Sequence, residues 1–192
     1  MTLGDGKRRV LMLLDEYSSG GAVTDDRDIN NKMADFFDTA QKDMANYKKI
    51  IRSCETNKME LIGGKGGYTY YQLPKNFVKI FRVWKNGKLR SGYPIIEGRL
   101  AVPMEETGEI ILEYFACPQT ITSSTDDSYE FEVSEDAANC LPFYVAAQHL
   151  MPDLVVDYSA FWSMYINMRA ALDVSLPSSG GKGYITQRFY GG

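Results

Sequence analysis

The sequence is poor in the residues from which catalytic and metal sites are most often built. Among 192 residues it has one histidine, His149, and three cysteines, Cys54, Cys117 and Cys140, which form no close pair. An odd and scattered set of cysteines argues against a disulfide framework or a zinc site. A histidine acting as a ligand or general base would need partners that the sequence does not place near it, so packing on a helix is the simpler interpretation.

Long apolar runs and an excess of basic charge are lacking as well. No stretch approaches the ~18 apolar residues of a membrane helix, and the first residues show no signal-peptide pattern. The formal net charge is −4, which argues weakly against a protein that grips DNA along its phosphates. Hydrophobic residues make up 44% of the chain and charged residues 24%, which is typical of a folded globular protein.

Short motifs carry no catalytic signature. Gly63-Gly64-Lys65-Gly66-Gly67 lacks the Lys-Ser/Thr ending and the following helix of a phosphate-binding loop, so we interpret it as a hairpin tip. The acid pairs Asp25-Asp26, Glu105-Glu106 and Asp126-Asp127 fall in turns, where carboxylates are more often solvated than catalytic. We therefore predict no catalytic residue, no metal site and no cofactor, and we expect that the protein is not an enzyme.

Helical periodicity marks the first quarter of the chain. A short helix is predicted over residues 7–17, and a long amphipathic helix over residues 28–52. The apolar stripe of the long helix runs through Phe36, with Phe37 at its flank. Its polar face is solvated in a monomer and could meet a neighbouring subunit in an oligomer; the candidate interface residues are Lys32, Asp35, Lys42, Asp43 and Lys49.

The same periodicity returns near the end and predicts two helices that anchor the core. The first starts near Ser134, the expected N-cap, and ends at Met151-Pro152-Asp153, because proline cannot continue the helical hydrogen bonds. Pro142 should either kink this helix or mark its true first turn. The second helix, up to Leu172, carries an apolar stripe wide enough to indicate a buried bundle helix.

Between the two helical regions the period changes to that of β-strands. Six or seven short runs rich in Val, Ile, Tyr and Phe lie between residues 59 and 116, separated by glycine and proline turns. Asn86-Gly87 is the strongest hairpin signal in the chain. The pattern predicts a small antiparallel sandwich or barrel. An alternative function would use this region to bind a ligand or a glycan on an aromatic platform of Tyr68, Tyr70, Tyr71 and Tyr93.

These patterns predict an α+β fold: a helical bundle of about four helices with an inserted small antiparallel β-domain and an extended C-terminal arm. Residues 1–54 hold the N-terminal helices, 55–128 the inserted β-domain and 129–174 the C-terminal helical pair, and 175–192 form the arm. The arm is a Gly/Ser-rich spacer followed by an aromatic, β-prone segment, residues 184–190. It is either a disordered tail or a docking segment that orders on a partner, for which adding a strand is one route.

Four segments in this order carry a resemblance to a known family. They are AQKDMANY at residues 40–47, YQLPKNFVKIFRVW at 71–84, ILEYFACPQTIT at 111–122, and YEFEVSEDAANCLPFYVAAQHL at 129–150. Over about residues 7–172 the chain resembles the head-to-tail adaptor, or connector, proteins of tailed bacteriophages, in the version with a β-domain inserted in a helical bundle. The most specific part is the acidic helix start followed by the Leu-Pro-Phe-Tyr-Val-Ala-Ala-Gln run that begins at Leu141.

The resemblance implies a structural virion protein of the phage neck, between capsid and tail, made in the host cytoplasm. Such adaptors form homo-oligomeric rings, commonly dodecamers, beneath the portal protein. They extend the DNA channel toward a downstream neck or tail protein, and DNA passes through without sequence-specific binding and without any membrane. The resemblance also implies that the C-terminal arm engages the portal, through Tyr184, Ile185, Arg188, Phe189 and Tyr190.

Overall fold

The computed structural model describes residues 1–14, 27–106, 108–152 and 157–174, with the backbone alone for residues 27–31. The chain divides into two compact units. The first, which we call the helical unit, comprises Met1–Lys49 and Pro118–Ser175. The second, the β unit, comprises Ile50–Cys117 within the described residues. None of the described helices is long and apolar enough to cross a membrane.

The helical unit contains five described helices, which we label α1 to α5. Their bounds are α1 Leu3–Leu13, α2 Arg27–Tyr47, α3 Glu135–Ala138, α4 Leu141–Leu150 and α5 Ser159–Ala170.

Helix α1 begins earlier than predicted because a capping box starts it at Thr2. The Thr2 hydroxyl accepts the backbone N–H of Asp5 at 3.1 Å, and the Asp5 carboxylate accepts the N–H of Thr2 at 3.2 Å. The end of the short helix predicted at Tyr17 and the glycine-rich stop after it lie outside the described residues.

The first residues are also held by the segment that precedes α3. The N–H of Leu3 donates to the carbonyl of Tyr129 at 2.8 Å, and the N–H of Phe131 donates to the carbonyl of Met1 at 3.3 Å. Gly6 lies directly against Phe37, since a Cβ added to Gly6 would fall 2.9 Å from the Phe37 ring. The N-terminal residues are therefore part of the packed core, a role that the sequence patterns did not reveal.

One apolar cluster joins these helices. Helix α2 contributes Met33, Phe37 and Met44, all fully buried. Phe37, predicted at the flank of the stripe, is at its centre, whereas Phe36 is only partly buried. The main contributors from the other elements are Leu3, Val10, Leu11, Ile121, Leu141, Val145 and Tyr165.

The C-terminal helices differ from the prediction in two ways. The single helix expected from residue 134 to 150 is broken, and Pro142 lies in the first turn of α4, where its missing N–H costs nothing. Ser134 occupies the N-cap position of α3, but within residues 108–152 its side chain makes no capping hydrogen bond. In α5 and just after it, the predicted apolar stripe faces the core, since Phe161, Trp162, Met168 and Leu172 pack against the cluster that contains the buried Tyr165. The stripe is narrower than predicted, because Ile166 is 38% exposed.

The described residues of the β unit form eight strands, β1 to β8, and a 3-10 turn at Thr56–Lys58 between β1 and β2. Their bounds are β1 Ile50–Glu55, β2 Leu61–Lys65, β3 Tyr68–Gln72, β4 Phe77–Lys85, β5 Lys88–Arg90, β6 Ile95–Ile96, β7 Arg99–Pro103 and β8 Ile110–Ala116.

These strands form two antiparallel sheets around one core. The first sheet has the order β1-β8-β4-β5 and the second β2-β3-β7-β6. Alternate residues of β8, from Ile110 to Ala116, are buried, and they share a cluster with Val83 of β4 and with Leu100 and Val102 of β7. Because this cluster takes side chains from both sheets, the two sheets pack on each other within the unit.

The Asn86-Gly87 hairpin prediction is confirmed. Asn86 has φ +46° and Gly87 φ +74°, the left-handed pair of a type I′ turn, and Lys85 pairs with Lys88 across it. The glycine-rich stretch is only partly a turn. Gly63 and Gly64 belong to β2, while Gly66 and Gly67 form the tip that leads into β3.

The predicted fold class, a helical bundle of about four helices with a small antiparallel β-domain inserted and a C-terminal arm, is wrong. The chain is mixed α/β, and two four-stranded antiparallel sheets are too large to be a small insertion. One cause is residues 50–52, which the prediction gave to the long helix. They open strand β1, whose residues from Ile50 to Glu55 pair with β8.

Candidate functional site

The portal-binding residues predicted for the C-terminal arm, Tyr184, Ile185, Arg188, Phe189 and Tyr190, lie outside the described residues. The five residues predicted for a ring interface are all described, and they divide into two groups. Lys32, Asp35 and Lys49 are exposed. Lys32 and Asp35 lie in α2, whereas Lys49 lies just after its end at Tyr47. Lys42 and Asp43, in contrast, are partly buried and bonded within the helical unit.

Asp43 joins α2 to α5. Its carboxylate accepts a hydrogen bond from the hydroxyl of Tyr165, a side chain that is 1% exposed, and lies 3.4 Å from the guanidinium of Arg169. Burial, and then the bond to Asp43, raises the pKa of the Tyr165 phenol well above its usual value. Arg169 also stacks over the ring of Tyr47, 4.5 Å from its centre. The sequence patterns placed Asp43 on an outward polar face, and its inward contacts were missed.

Aromatic rings complete the junction between α4 and α5. Tyr144 packs 5.1 Å from Tyr165 and 6.0 Å from Trp162, measured between ring centres, and Trp162 lies 5.6 Å from Tyr165. These distances are typical of edge and tilted aromatic contacts. The group holds α5 on the unit by one face and leaves the other face outward.

Gln41 is a buried polar residue at the centre of the helical unit. It is 0% exposed, and its side-chain oxygen accepts the N–H of Glu132 at 2.9 Å. Its amide nitrogen donates to the carbonyl of Gln119 at 3.2 Å and lies 3.2 Å from the hydroxyl of Tyr129. One side chain of α2 therefore bonds to both ends of the polar crossing that leads from the β unit to α3.

Asp38 and Lys42, which flank Gln41 in α2, bind the first residues of the same crossing. Asp38 accepts the N–H of Ile121 at 2.9 Å and the Lys42 ammonium at 2.6 Å. Lys42 also donates to the hydroxyl of Thr120 at 3.2 Å. Gln41 and Lys42 belong to the segment AQKDMANY, so two of the polar residues of that segment hold the crossing in place.

The β unit contains a polar cluster that the sequence patterns did not reveal. The carboxylate of Glu106 accepts from the ammonium of Lys85 and from the hydroxyl of Tyr93, both at 2.5 Å. The bond from Lys85 chiefly lowers the pKa of Glu106, while burial, followed by the bond to Glu106, raises the pKa of Tyr93 to about 12. Glu106, the second residue of the Glu105-Glu106 pair, thus ties this turn to β4.

The aromatic platform proposed for ligand or glycan binding is not assembled. Tyr71 and Tyr93 pack against the core of the β unit. Tyr68 and Tyr70 lie on the opposite face of β3, because successive residues of a strand point to opposite sides. The sheet itself therefore separates the four tyrosines into two pairs.

Other candidate sites give no chemistry within the described parts of the chain. No three His, Cys, Asp or Glu side chains there lie close enough together to hold a metal ion. Cys54, Cys117 and Cys140 are free thiols. A pocket of about 250 Å³ next to α1 is mainly apolar, and its one charged side chain, Arg9, already donates to Asn139 at 2.7 Å.

Comparison with known proteins adds no assignment. No family model matches the chain, and no curated protein matches it.

Proposed function

We propose that this chain is a head-to-tail adaptor of a tailed bacteriophage. In this proposal it is a structural, non-catalytic protein of the virion neck, and copies of it form a ring, in this family commonly of twelve, beneath the portal. The ring extends the DNA channel and joins the head to a downstream neck or tail protein, and DNA passes through without sequence-specific contacts.

The observation that carries the proposal is the contact between two of the segments that resemble the family. Gln41, from AQKDMANY, bonds to Tyr129 and Glu132, which open the segment at residues 129–150. The later part of that segment supplies Leu141 and Val145 to the same core. These two segments therefore contact each other in the folded chain. This is expected if the residues that resemble the family are the ones that build a common scaffold.

The distribution of charge supports contacts between unlike surfaces. Residues 50–117 contain ten Lys and Arg and seven Asp and Glu, which gives them a net charge of +3. Since the whole chain has a net charge of −4, the remaining residues together carry −7. A ring with rotational symmetry is built from one heterologous contact repeated around the axis, in which one surface of each subunit meets a different surface of the next. Oppositely charged parts of one chain suit such a contact.

The exposed residues of the predicted interface give the first test of ring formation. Charge reversal at Lys32→Glu and Lys49→Glu should weaken assembly on the portal, because both side chains are exposed. Lys32→Arg combined with Lys49→Arg, which keeps both positive charges at the same two positions, is the matched control. Light scattering and particle imaging of each purified variant, with and without the portal, would measure how much of the protein assembles into rings.

The arm gives the second test. The resemblance assigns portal binding to residues 184–190, and an arm that reaches another ring adds affinity by tethering. A chain shortened after Ser178 should keep its circular dichroism spectrum and melting temperature, yet bind the portal more weakly. A full-length protein that remains monomeric with the portal present, or a polypeptide absent from intact particles, would contradict the proposal.

A further inference from the structure

A pocket of about 250 Å³ lies in the helical unit where α1 passes the break between α3 and α4. Apolar side chains form most of its wall. The residues that line it are Arg9, Met12 and Leu13 of α1, Asn139 at the end of α3, and Pro142 and Phe143 in the first turn of α4. Because Met12 lines the pocket and is 63% exposed, the pocket is open to solvent on that side.

Arg9 gives this pocket a positive charge. The two basic residues before it, Lys7 and Arg8, each form an ion pair with an aspartate of the helical unit. Arg9 instead donates to the neutral side chain of Asn139 at 2.7 Å. None of the described Asp or Glu residues lines the pocket. Within the described part of the chain, the wall of the pocket therefore carries one cation and no anion.

Two helix ends also reach the pocket, and their partial charges oppose each other. Pro142 and Phe143 belong to the first turn of α4, which is the positive end of that helix. Met12 and Leu13 belong to the last turn of α1, which is the negative end. Each end is equivalent to about half a unit charge, so the two effects largely cancel. The full charge of Arg9 therefore sets the sign of the pocket, and an anion is favoured over a cation.

The two polar side chains of the pocket supply the hydrogen bonds that a carboxylate needs. A guanidinium presents several N–H donors in a planar fork that suits a carboxylate, and the bond to Asn139 uses one of them. The side-chain oxygen of Asn139 accepts that bond, which leaves the amide nitrogen of the same side chain as a further donor. A carboxylate at this edge of the pocket would thus meet two donor groups that are already held together.

The size of the pocket suits one large apolar side chain. An apolar cavity of about 150 Å³ is enough to hold benzene, so about 250 Å³ holds an aromatic ring and the atoms next to it. Sites that enclose a whole small molecule are usually larger, about 300–1,000 Å³. An open pocket of this size therefore fits one residue of a longer chain. A large apolar side chain and a carboxylate occur together in one residue at the C-terminus of a polypeptide.

We propose that this pocket binds the C-terminal residue of a partner polypeptide, when that residue is large and apolar. The side chain packs against Leu13 and Phe143, and the terminal carboxylate accepts hydrogen bonds from Arg9 and Asn139. The pocket includes none of the residues predicted for the ring interface or for the arm. This inference therefore goes beyond the proposed function and does not depend on it.

A short peptide tests the inference. Acetyl-Gly-Gly-Phe with a free carboxylate should bind and should shift the NMR signal of the Met12 methyl group, because an aromatic ring shifts the resonance of a methyl group that it contacts. Met104 and Met164, which are 51% and 47% exposed and do not line the pocket, are internal references whose signals should stay in place.

Two further peptides separate the contributions of the charge and the ring. The same peptide with a C-terminal amide should bind about tenfold more weakly, because it lacks the charge that Arg9 binds. Acetyl-Gly-Gly-Gly keeps the carboxylate but has no side chain to fill the pocket, and it should leave the Met12 signal in place.

Variants of the full chain test the role of Arg9. Arg9→Gln should weaken binding of the acid peptide about tenfold and leave binding of the amide unchanged. Arg8→Gln is the matched control, because Arg8 is adjacent in sequence but pairs with Asp5 and does not line the pocket. Asn139→Asp would give Arg9 an acidic partner, so it should also weaken binding of the acid, while thermal unfolding followed by circular dichroism should show no loss of stability.

Three outcomes would each overturn the inference. They are equal affinity for the acid and the amide, a Met12 signal that stays in place when the acid peptide is added, and equal weakening by Arg9→Gln and Arg8→Gln. None of these outcomes bears on portal binding, which is measured separately.

Discussion

Gln41 accepts the backbone N–H of Glu132 at 2.9 Å while its amide nitrogen lies 3.2 Å from the carbonyl of Gln119. Gln119 and Glu132 are themselves joined, since the N–H of Gln119 donates to the Glu132 carboxylate at 3.0 Å. The buried side chain thus closes a loop of the helical unit at both of its ends.

Replacing Gln41 should therefore destabilise the protein strongly. Gln41→Met keeps the volume but leaves the Glu132 N–H and the Gln119 carbonyl without this partner, which should lower the free energy of unfolding by about 2–3 kcal/mol. Urea denaturation followed by circular dichroism measures the loss. Gln119→Ala is the control, because Gln119 takes part through its backbone and its side chain is exposed, so its effect should stay within about 0.5 kcal/mol.

The bond between Tyr165 and Asp43 should stabilise the attachment of α5. Tyr165→Phe removes the donated hydrogen bond and should lower the free energy of unfolding by about 1.5 kcal/mol. Tyr144→Phe is the matched control, because Tyr144 packs in the same aromatic group while Asp43 accepts from Tyr165. Thermal or urea unfolding compares the two. Equal losses of free energy of unfolding in the two variants would mean that packing of the aromatic side chains, and not the hydrogen bond to Asp43, holds α5 in place.

Tyr93 should make stability depend on alkaline pH. Its pKa is raised to about 12 in the folded chain, against about 10 in an unfolded one. Between these values the unfolded state loses the proton that the folded state keeps, so the stabilisation is full below pH 10 and is lost as the pH rises through 12. Tyr93→Phe should be less stable than the native chain at pH 8, and the difference in free energy of unfolding should narrow as the pH rises from about 10 to about 12. A constant gap in urea midpoints would count against this assignment.

Gly6 should tolerate no side chain while Phe37 is present. Gly6→Ala would place a Cβ 2.9 Å from the Phe37 ring, and such overpacking costs about 1–3 kcal/mol. The control is a double-mutant cycle with Phe37→Leu, which removes the ring. In that background Gly6→Ala should cost much less, because the two changes act on one contact. Additive losses in urea melts would show that the clash is not the cause.

Local sequence patterns predicted most of the strands and the helical regions, but not the residue at which a helix ends and a strand begins. The Asn86-Gly87 hairpin could be read directly, because its left-handed turn depends on two adjacent residues. Residues 50–52 could not, since Ile51 continues the helical spacing of α2 as well as it fits a strand. Pairing with β8, about 60 residues later in the chain, decides that they are β.

The candidate site shows the same division. Lys32 and Asp35 were predicted at an outer surface and are exposed, because charged residues on the polar side of an amphipathic helix normally face solvent. Asp43 has the same sequence signal, yet it meets Tyr165. Its partner lies 122 residues away, and no local period carries that information.

The sequence by itself determined the turn residues and most of the strand segments, and it left Pro142 as either a kink or a helix start. Only the tertiary structure decided that β1 completes a four-stranded sheet, that Phe37 and not Phe36 centres the core, and that Gln41 and Asp43 are internal partners. The reason is physical. Turns and periodicities depend on neighbours along the chain, whereas burial and hydrogen bonding depend on which distant segments pack together.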